Sequence, residues 1–463
     1  MDRLTALDTE FLLLEDGVSH MHIGGLSVFE GDPPTEAQLR SLLASKLHLL
    51  PRYRQRVHPV PLDLGRPVWV DDPHFSLGYH VRSTALPDPS DEALCRLMGR
   101  VMSHELDRER PLWECWIVHG LPDRRWGLIS KVHHCMVDGL AGVGLLTALL
   151  DPVPACEPPA PEPWHPVPAP SEAALVADAW AGLASDLWHR AGRLPDDLRH
   201  PWRTVERAGA TALGLVRFTQ NLVATPETPI DGVIGAHRRW AHTTVTLDDV
   251  RTIRRRHGGT VNDVVVAVVT KGYRDLLLEQ GEDPTQTTLR TLVPVSVRVD
   301  DGNGDAALGN RVSALLYDLP LAIDDPVDRL VAVSTQLSER KRSHLAEAGA
   351  AVTAFADLVP PMLTRDVSRL LLHVAHDRSQ RSINTVITNV PGPQLPLFCL
   401  GRPLVEQRPY VPISHGLRYG TAILSYNGLL CFGITGDYDR APGVDTLAGG
   451  IAAGVDELLE VSR

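Results

Sequence analysis

The stretch from residue 151 to residue 170, DPVPACEPPAPEPWHPVPAP, is the feature that most limits how this chain can fold. Proline has no main-chain N–H to donate, so a segment this rich in proline continues neither a helix nor a strand ladder and is typical of an extended, polyproline-like linker. The whole chain has 463 residues, which is more than one ordinary core supports. We therefore predict two folded units joined by this linker.

Both outer parts of the chain alternate short apolar runs with helical patterns, which predicts a mixed α/β fold class. We place an N-terminal domain at 1–151, a connecting region at 152–230 and a C-terminal domain at 231–463. Within TVNDVVVAVVTKGYRDLLLEQG, Thr260 and Asp263 have the spacing of a helix N-cap and its reciprocal cap. The other segments with clear patterns are interpreted as strands: PLWECWIVHGL, RWGLISKVHH, LRTLVPVSVRV, SALLYDLP, SINTVITNV and TAILSYNGLLCFGITGDYD.

Two amphipathic helices follow the linker, within residues 171–225. Val176 and Trp180 begin a helical apolar repeat, and a second repeat follows Pro195. These helices either pack against the two domains or rest with an apolar face on a lipid surface. The sequence leaves both interpretations open.

Charge and cysteine usage exclude several classes of protein. The net charge of −12 argues against a nucleic-acid groove, which needs clustered positive charge. The six cysteines have no CxxC spacing, and the first residues lack the pattern of a secretory signal, so we expect a reduced, cytoplasmic protein. The sequence also lacks an apolar run of the roughly 18 residues that a membrane helix requires.

The histidine pair in HHCMVDG, residues 133–139, is the main candidate for chemistry. Strand side chains alternate between faces, so His133 and His134 cannot both enter one cavity if both continue the preceding strand. Asp138 stands where a helix N-cap belongs, which places the pair in a strand-to-helix loop. The residues alone leave open whether one imidazole is a general base or both are ordinary loop histidines.

Other chemistries fit this segment less well. Zinc sites commonly place two histidines four residues apart on one helix, and adjacent histidines followed by an aspartate fit that spacing poorly, so we predict no metal. A serine in a GxSxG elbow is missing, and so is a cysteine in a protease-like context. A neutral imidazole acting on a substrate that brings its own nucleophile remains, because the unperturbed pKa of histidine is about 6.5.

HHCMVDG resembles the HHxxxDG signature of the CoA-dependent acyltransferase superfamily. Its neighbours resemble the bacterial wax ester synthase/diacylglycerol acyltransferase family over most of the chain outside the proline-rich linker. The segments that carry this resemblance are LTALDTEFLLLE, MHIGGLSVFEG, WVDDPHF, YHVR, LDRERPLWECWIVHGL, TVNDVVVAVV, TLVPVSVR, LGNRVS, TNVPGP and LSYNGLLCFGITGDYD. The resemblance implies two chloramphenicol-acetyltransferase-like domains, each with a mixed sheet, and an active-site tunnel between them.

The resemblance also implies roles for the motif residues. The second histidine of the family motif is the base, so His134 would take the proton of an acceptor hydroxyl and His133 would support it. Asp138 would be structural and would pair with an arginine of the other half, for which Arg298 is the first candidate and Arg311 the second. Gly139 would let the backbone approach closely at the helix start.

Three further residues are candidates for contact with substrate or with the developing oxyanion. The family's ND pair corresponds to Asn262 and Asp263, although a capping role explains Asp263 equally well. Trp113, in PLW, resembles a structural or substrate-channel element, and an aromatic residue beside a strand is more often core.

The implied function is acyl transfer from long-chain acyl-CoA to the hydroxyl of diacylglycerol or a fatty alcohol, forming triacylglycerol or wax ester without a covalent enzyme intermediate. Acyl-CoA is a co-substrate, and no cofactor is expected. The protein is expected to be cytoplasmic. Because these substrates are poorly soluble in water, it is also expected to attach peripherally to the surface of a membrane or lipid body. The alternatives are a condensation-type acyltransferase that takes acyl groups from a carrier protein, and an inactive lipid-binding protein. The preferred acceptor, the chain length and the oligomeric state stay open.

Overall fold

The computed structural model describes residues 2–136, 144–154, 158–182, 228–297, 311–344 and 383–462. The strands are β1 His22–Glu30, β2 Gln55–His58, β3 Val68–Asp71, β4 Val81–Ala85, β5 Trp113–Leu121, β6 Arg125–His133, β7 Asp231–Gly232, β8 Arg238–Thr246, β9 Arg290–Val297, β10 Arg311–Asp318, β11 Thr385–Val390, β12 Phe398–Cys399, β13 Arg402–Tyr410, β14 Gly416–Leu417, β15 Tyr419–Tyr426 and β16 Leu429–Asp437. The helices are α1 Ala6–Leu14, α2 Glu36–Lys46, α3 Leu77–His80, α4 Asp91–Met102, α5 Gly144–Leu149, α6 from 172 and described to 182, α7 Leu247–His257, α8 Val261–Glu279, α9 Pro326–His344 and α10 Val444–Glu460.

Two mixed six-stranded sheets form the framework, which confirms the predicted α/β class. The first has the order β12-β13-β1-β6-β5-β4, and the second has the order β10-β9-β11-β15-β16-β8. In the first sheet only β4 and β5 run parallel, and in the second β11 is parallel to both of its neighbours. Strand β6 is central in the first sheet and almost wholly buried, although its sequence includes the polar residues Ser130, Lys131 and His133.

The C-terminal part of the chain contributes to both sheets. Strand β13 pairs antiparallel with β1, with Gly24 opposite Tyr410 and Val28 opposite Glu406. The pairing therefore joins the two halves of the chain within one sheet. The predicted domain boundaries place β13 in the C-terminal domain and so do not include its pairing with β1. As divisions of the sequence, they remain a prediction.

Helix α8 is the centre of the second half, and its buried run from Val264 to Val269 contains five valines. Valine has a low helix propensity because its χ1 freedom is restricted in a helix. Two features favour the helix here. Thr260 and Asp263 form the predicted capping box at its start, and the helix is buried against α10 and the second sheet.

Residues 158–170 of the proline-rich segment form neither helix nor strand and lie against the first half. The N–H of Val167 donates to Asp71 Oδ2 over 2.9 Å, and the guanidinium of Arg54 lies 5.1 Å from the ring centroid of Trp164. In α6, Leu175 and Ala179 are buried in a small apolar cluster with Val60, Val68 and Val70. Of the two helices predicted at 171–225, only this beginning is described, and one face of it packs on the first half.

Candidate active site

The histidine pair stands at the end of β6, where the backbone changes conformation. His133 is the last residue of the strand, and His134 begins a 3₁₀ turn that continues to Met136. The N–H of His133 donates to Leu112 O over 2.9 Å, and that of His134 donates to Met21 O over 2.8 Å. Both histidines are therefore fixed by main-chain bonds, and the turn separates the directions of their side chains.

The imidazole of His134 is largely enclosed and stacked on an aromatic ring. Its centroid lies 3.9 Å from that of Phe11, with the two rings inclined by 25°. Burial lowers the pKa of His134 to about 4, and the opposing effect of its own main chain is smaller. The ring is therefore neutral at pH 7, which is the form that a general base requires.

The imidazole of His133 is wholly buried and lies between a main-chain donor and a carboxylate. Its Nδ1 accepts a hydrogen bond from the N–H of Cys135 over 3.1 Å. Its Nε2 lies 3.4 Å from Oε2 of Glu15. The geometry agrees with a supporting role for His133, and it brings in Glu15, which the sequence analysis did not select as a site residue.

Glu15 follows α1 directly and is held by three kinds of neighbour. Arg108 Nη2 donates to Oε2 over 2.8 Å, the N–H of Met21 donates to Oε1 over 3.2 Å, and His22 Nδ1 is 3.7 Å from Oε1. Burial raises the pKa of this carboxyl, but the polar contact with His133, followed by the neighbouring His22 and the hydrogen bond from Arg108, lowers it well below its usual range. Glu15 is therefore a carboxylate at neutral pH.

The loop that follows Glu15 contacts the C-terminal half. Arg238 donates to the carbonyl oxygen of Val18, and Nε2 of His415 lies 2.8 Å from Asp16 Oδ2. Ser19 accepts a hydrogen bond from the N–H of His415 over 3.3 Å. The histidine pair and its carboxylate therefore lie next to a junction between the two halves of the chain.

Asn262 and Asp263 belong to a second group, at the start of α8. Asp263 Oδ2 accepts from the N–H of Thr260 over 2.8 Å and from the hydroxyl of Ser334 over 3.1 Å, which is the capping role considered above. Asn262 Oδ1 accepts a hydrogen bond from Asn389 Nδ2 over 3.1 Å. This amide pair connects the TVNDVV and TNVPGP segments, so Asn389 joins Asn262 as a candidate polar residue.

Trp113 occupies the core below the histidine pair. Its side chain is fully buried, its Nε1 donates to Tyr53 O over 2.8 Å, and its ring stacks on His80 with centroids 4.4 Å apart. These contacts fit the core interpretation and leave the indole no free polar atom for a substrate.

Four predicted support residues have no described side chain. Asp138, Gly139 and Arg298 lie outside the described residues. Arg311 begins β10, where its main chain pairs with Val297, but its side chain is not among those described. The predicted pairing of Asp138 with an arginine therefore remains a prediction.

A group of buried histidines next to Glu15 also invites comparison with a metal site. In the described ranges, Glu15, His20 and His22 each bring one potential ligand atom within 4.8 Å of the others. Burial and then Arg238 lower the pKa of His20 to about 4, while burial and then Lys131 lower that of His22 well below the usual range. The same positive charges oppose a bound cation, and both oxygens of Glu15 already have partners, so we assign no ion to this group.

Sequence comparisons identify the family. The profile of the wax ester synthase/diacylglycerol acyltransferase catalytic domain matches residues 4–265, and that of the C-terminal domain of the same family matches residues 308–459. A relative from Mycobacterium tuberculosis named as a diacylglycerol O-acyltransferase is 35% identical over 473 aligned residues, covering 100% of this chain and 97% of the relative. Another from the same organism is 32% identical, with 100% and 92% covered.

Solved structures agree with this assignment. The wax ester synthase/diacylglycerol acyltransferase from Marinobacter aquaeolei VT8 superposes with a TM-score of 0.71 at 26% identity, and the match covers 100% of both chains. The starter condensation domain of rhizomide synthetase, in its complex with C8-CoA and Leu-SNAC, gives a TM-score of 0.56 at 13% identity over 100% of this chain and 94% of that one, a likeness of fold alone. The chain belongs to the wax ester synthase/diacylglycerol acyltransferase family.

Proposed function

We propose that this chain transfers a long-chain acyl group from acyl-CoA to the hydroxyl of diacylglycerol or a fatty alcohol, with His134 as the general base. The family and the names of its relatives support an O-acyltransferase. The observation that carries the mechanism is the neutral, enclosed imidazole of His134, stacked on Phe11 beside the junction of the two halves.

In the proposed reaction the acyl group passes directly from CoA to the acceptor hydroxyl, and no covalent bond forms between the acyl group and the enzyme. His134 removes the acceptor's hydroxyl proton as that oxygen attacks the thioester carbonyl carbon, which gives a tetrahedral intermediate with an oxyanion. When the carbon–sulfur bond breaks, the CoA thiolate leaves and takes the proton from the imidazolium. Asn262, oriented by Asn389, is the proposed donor to the oxyanion, and a hydrogen bond of this kind typically lowers the barrier by about 3 kcal/mol.

A donor and acceptor panel tests this function. We expect the purified protein to release CoA from palmitoyl-CoA only when a hydroxyl acceptor is present, with triacylglycerol or wax ester identified by mass. Diacylglycerol and hexadecanol are the two acceptors to compare, and palmitoyl-carrier protein is the alternative donor. Transfer from the carrier protein but not from CoA would establish the condensation-type alternative. Tight binding of palmitoyl-CoA without CoA release would establish a lipid-binding protein.

The pH dependence of catalysis follows from the environment of His134. Since its pKa in the folded protein is lowered to about 4, the neutral base persists to a lower pH than for an ordinary imidazole. We expect kcat/KM to stay level from pH 7 to about pH 5 and its acid limb to lie near pH 4, with circular dichroism confirming the fold at each pH. An acid limb between pH 6 and 7 would contradict the enclosed state of this ring.

We further propose that the protein works at a lipid surface without crossing it. No helix in the described ranges is long and apolar enough to pass through a bilayer. In α6 the apolar repeat predicted from Val176 and Trp180 lies about 100° around the helix from the buried pair Leu175 and Ala179. Val176 is partly buried, and 53% of Trp180 is exposed. The indole is therefore available to insert at an interface. When the acceptor is supplied in vesicles, sedimentation of the vesicles shows whether the protein binds to them. The variant Trp180→Ser should sediment with the vesicles to a smaller extent than the parent protein.

A further inference from the structure

Helix α1 contacts both members of the histidine pair from one side. Phe11 stacks on His134, and Glu15, four residues later, faces His133 at 3.4 Å. Side chains four residues apart lie one above the other along a helix. Although Glu15 caps α1 rather than continuing it, its N–H still donates to Phe11 O over 3.2 Å, so the helical spacing is kept. One short element therefore contacts both imidazoles.

One hydrogen bond to the His133 ring fixes which nitrogen carries its proton. Nδ1 accepts from the N–H of Cys135, so Nδ1 must hold a lone pair. The proton of the neutral ring is then on Nε2, the atom that faces Glu15. The partner of one ring nitrogen sets the tautomer and the orientation that the other nitrogen can use.

The carboxylate that faces this nitrogen, 3.4 Å away, is itself immobilised. Only 5% of the Glu15 side chain is exposed, and Arg108 holds Oε2 through Nη2 at 2.8 Å and through Nε at 3.3 Å. Arg108 also donates to Leu12 O, in the last turn of α1, over 3.1 Å. A buried, ionised and doubly held carboxylate is a fixed acceptor.

We propose that Glu15 is a positioning residue of the active site. It holds His133 in the form protonated on Nε2, and through the hydrogen bond between His133 and Cys135 it fixes the turn that carries His134. Glu15 does not itself touch the substrate. This inference rests on the proposed function only in its assignment of His134 as the base.

Glu15→Gln tests the catalytic consequence, since it removes the charge and keeps the size of the side chain. We expect kcat to fall by about 10- to 100-fold, the range seen when the carboxylate that orients a metal-binding histidine is replaced. KM for palmitoyl-CoA should stay within about twofold of the parent, because the carboxylate orients the base and does not bind the substrate. A folded Glu15→Gln protein with the parent kcat would overturn the proposal.

Two companion variants separate positioning from a general loss of structure. Glu406→Gln is the matched control, because that carboxylate is also mostly buried and also pairs with an arginine, Arg408, at 2.7 Å. It lies opposite Val28, six residues along β1 from His22, and should leave kcat unchanged. In a His133→Asn background, Glu15→Gln should have no further effect, because the group through which it acts is gone. A full additional loss of kcat in that background would contradict the inference.

The tautomer can be read without any activity, so failure of the inference is distinguishable from failure of the proposed function. With ¹⁵N-labelled histidine, the His133 signals are assigned by their loss in His133→Asn, and we expect Nε2 to carry the proton in the parent protein. A proton on Nδ1 in the parent would overturn the inference even if Glu15→Gln did not fold. Elemental analysis of the parent completes the test, because a stoichiometric divalent metal lost in Glu15→Gln would make Glu15 a ligand instead.

Discussion

His134→Ala is expected to remove nearly all acyl transfer while leaving the fold intact. General-base assistance is typically worth about 10²- to 10⁴-fold, and alanine offers no group that can take the hydroxyl proton. His134 stands in a turn with its ring against Phe11, and its main-chain bond to Met21 does not depend on the side chain. Release of CoA from palmitoyl-CoA in the presence of the best acceptor is the measurement, with circular dichroism as the check on folding.

His119→Ala is the control for this experiment. His119 lies on β5, the strand next to β6, and its ring forms a hydrogen bond with Ser83. It is six residues along β5 from Trp113, and the histidine pair lies at the Trp113 end of the strand. The variant should keep the parent rate. If the folded His134→Ala protein also released CoA at the parent rate, His134 would not be the base and the proposed mechanism would be wrong.

Local pattern was enough to predict the elements that carry the motifs. PLWECWIVHGL and RWGLISKVHH are two of the predicted strands, and they form β5 and β6, which pair with each other. The capping box at Thr260 and Asp263 was predicted from spacing alone. Both features are set by residues close together in the chain, and alternation or cap chemistry records such features directly.

Contacts between distant segments could not be predicted in this way. RPLVEQRPY, which forms β13, was not identified as a strand, and its pairing with β1 joins residues more than 370 positions apart. Nothing in the alternation of a strand specifies which remote edge it joins. Such pairing depends on the core that both strands help to cover.

The support of the histidine pair shows the same limit at the level of single side chains. Glu15 ends LTALDTEFLLLE, one of the segments that carry the family resemblance, but a glutamate after a helix usually faces solvent. Its role becomes visible only when Arg108, Met21 and His133 surround it. For Trp113 the general preference of aromatic residues for the core agrees with the structure, because that preference does not depend on a particular partner.

Gly433→Ala is expected to have the largest effect on stability, because it forces apart strands of the two sheets. Gly433 lies on β16 of the second sheet, and a Cβ placed there would be 1.8 Å from the carbonyl oxygen of Pro409, on β13 of the first sheet. That oxygen also accepts a hydrogen bond from Trp240 Nε1 over 3.3 Å. Backbone cannot yield as a flexible side chain does, so we expect a loss of about 3 kcal/mol, the upper part of the range for overpacked interiors.

Gly449→Ala provides a control with the same change in composition. Gly449 is exposed on α10, and a Cβ there would meet no atom within 4 Å. Alanine in a helix interior is favoured over glycine by about 0.5–1 kcal/mol, so this variant should be slightly more stable than the parent. The midpoints of urea unfolding should therefore move in opposite directions for the two variants. Equal midpoints for Gly433→Ala and the parent would mean that β13 and β16 do not approach so closely in solution. Some contact other than that between β13 and β16 would then have to hold the two halves of the chain together beside His134.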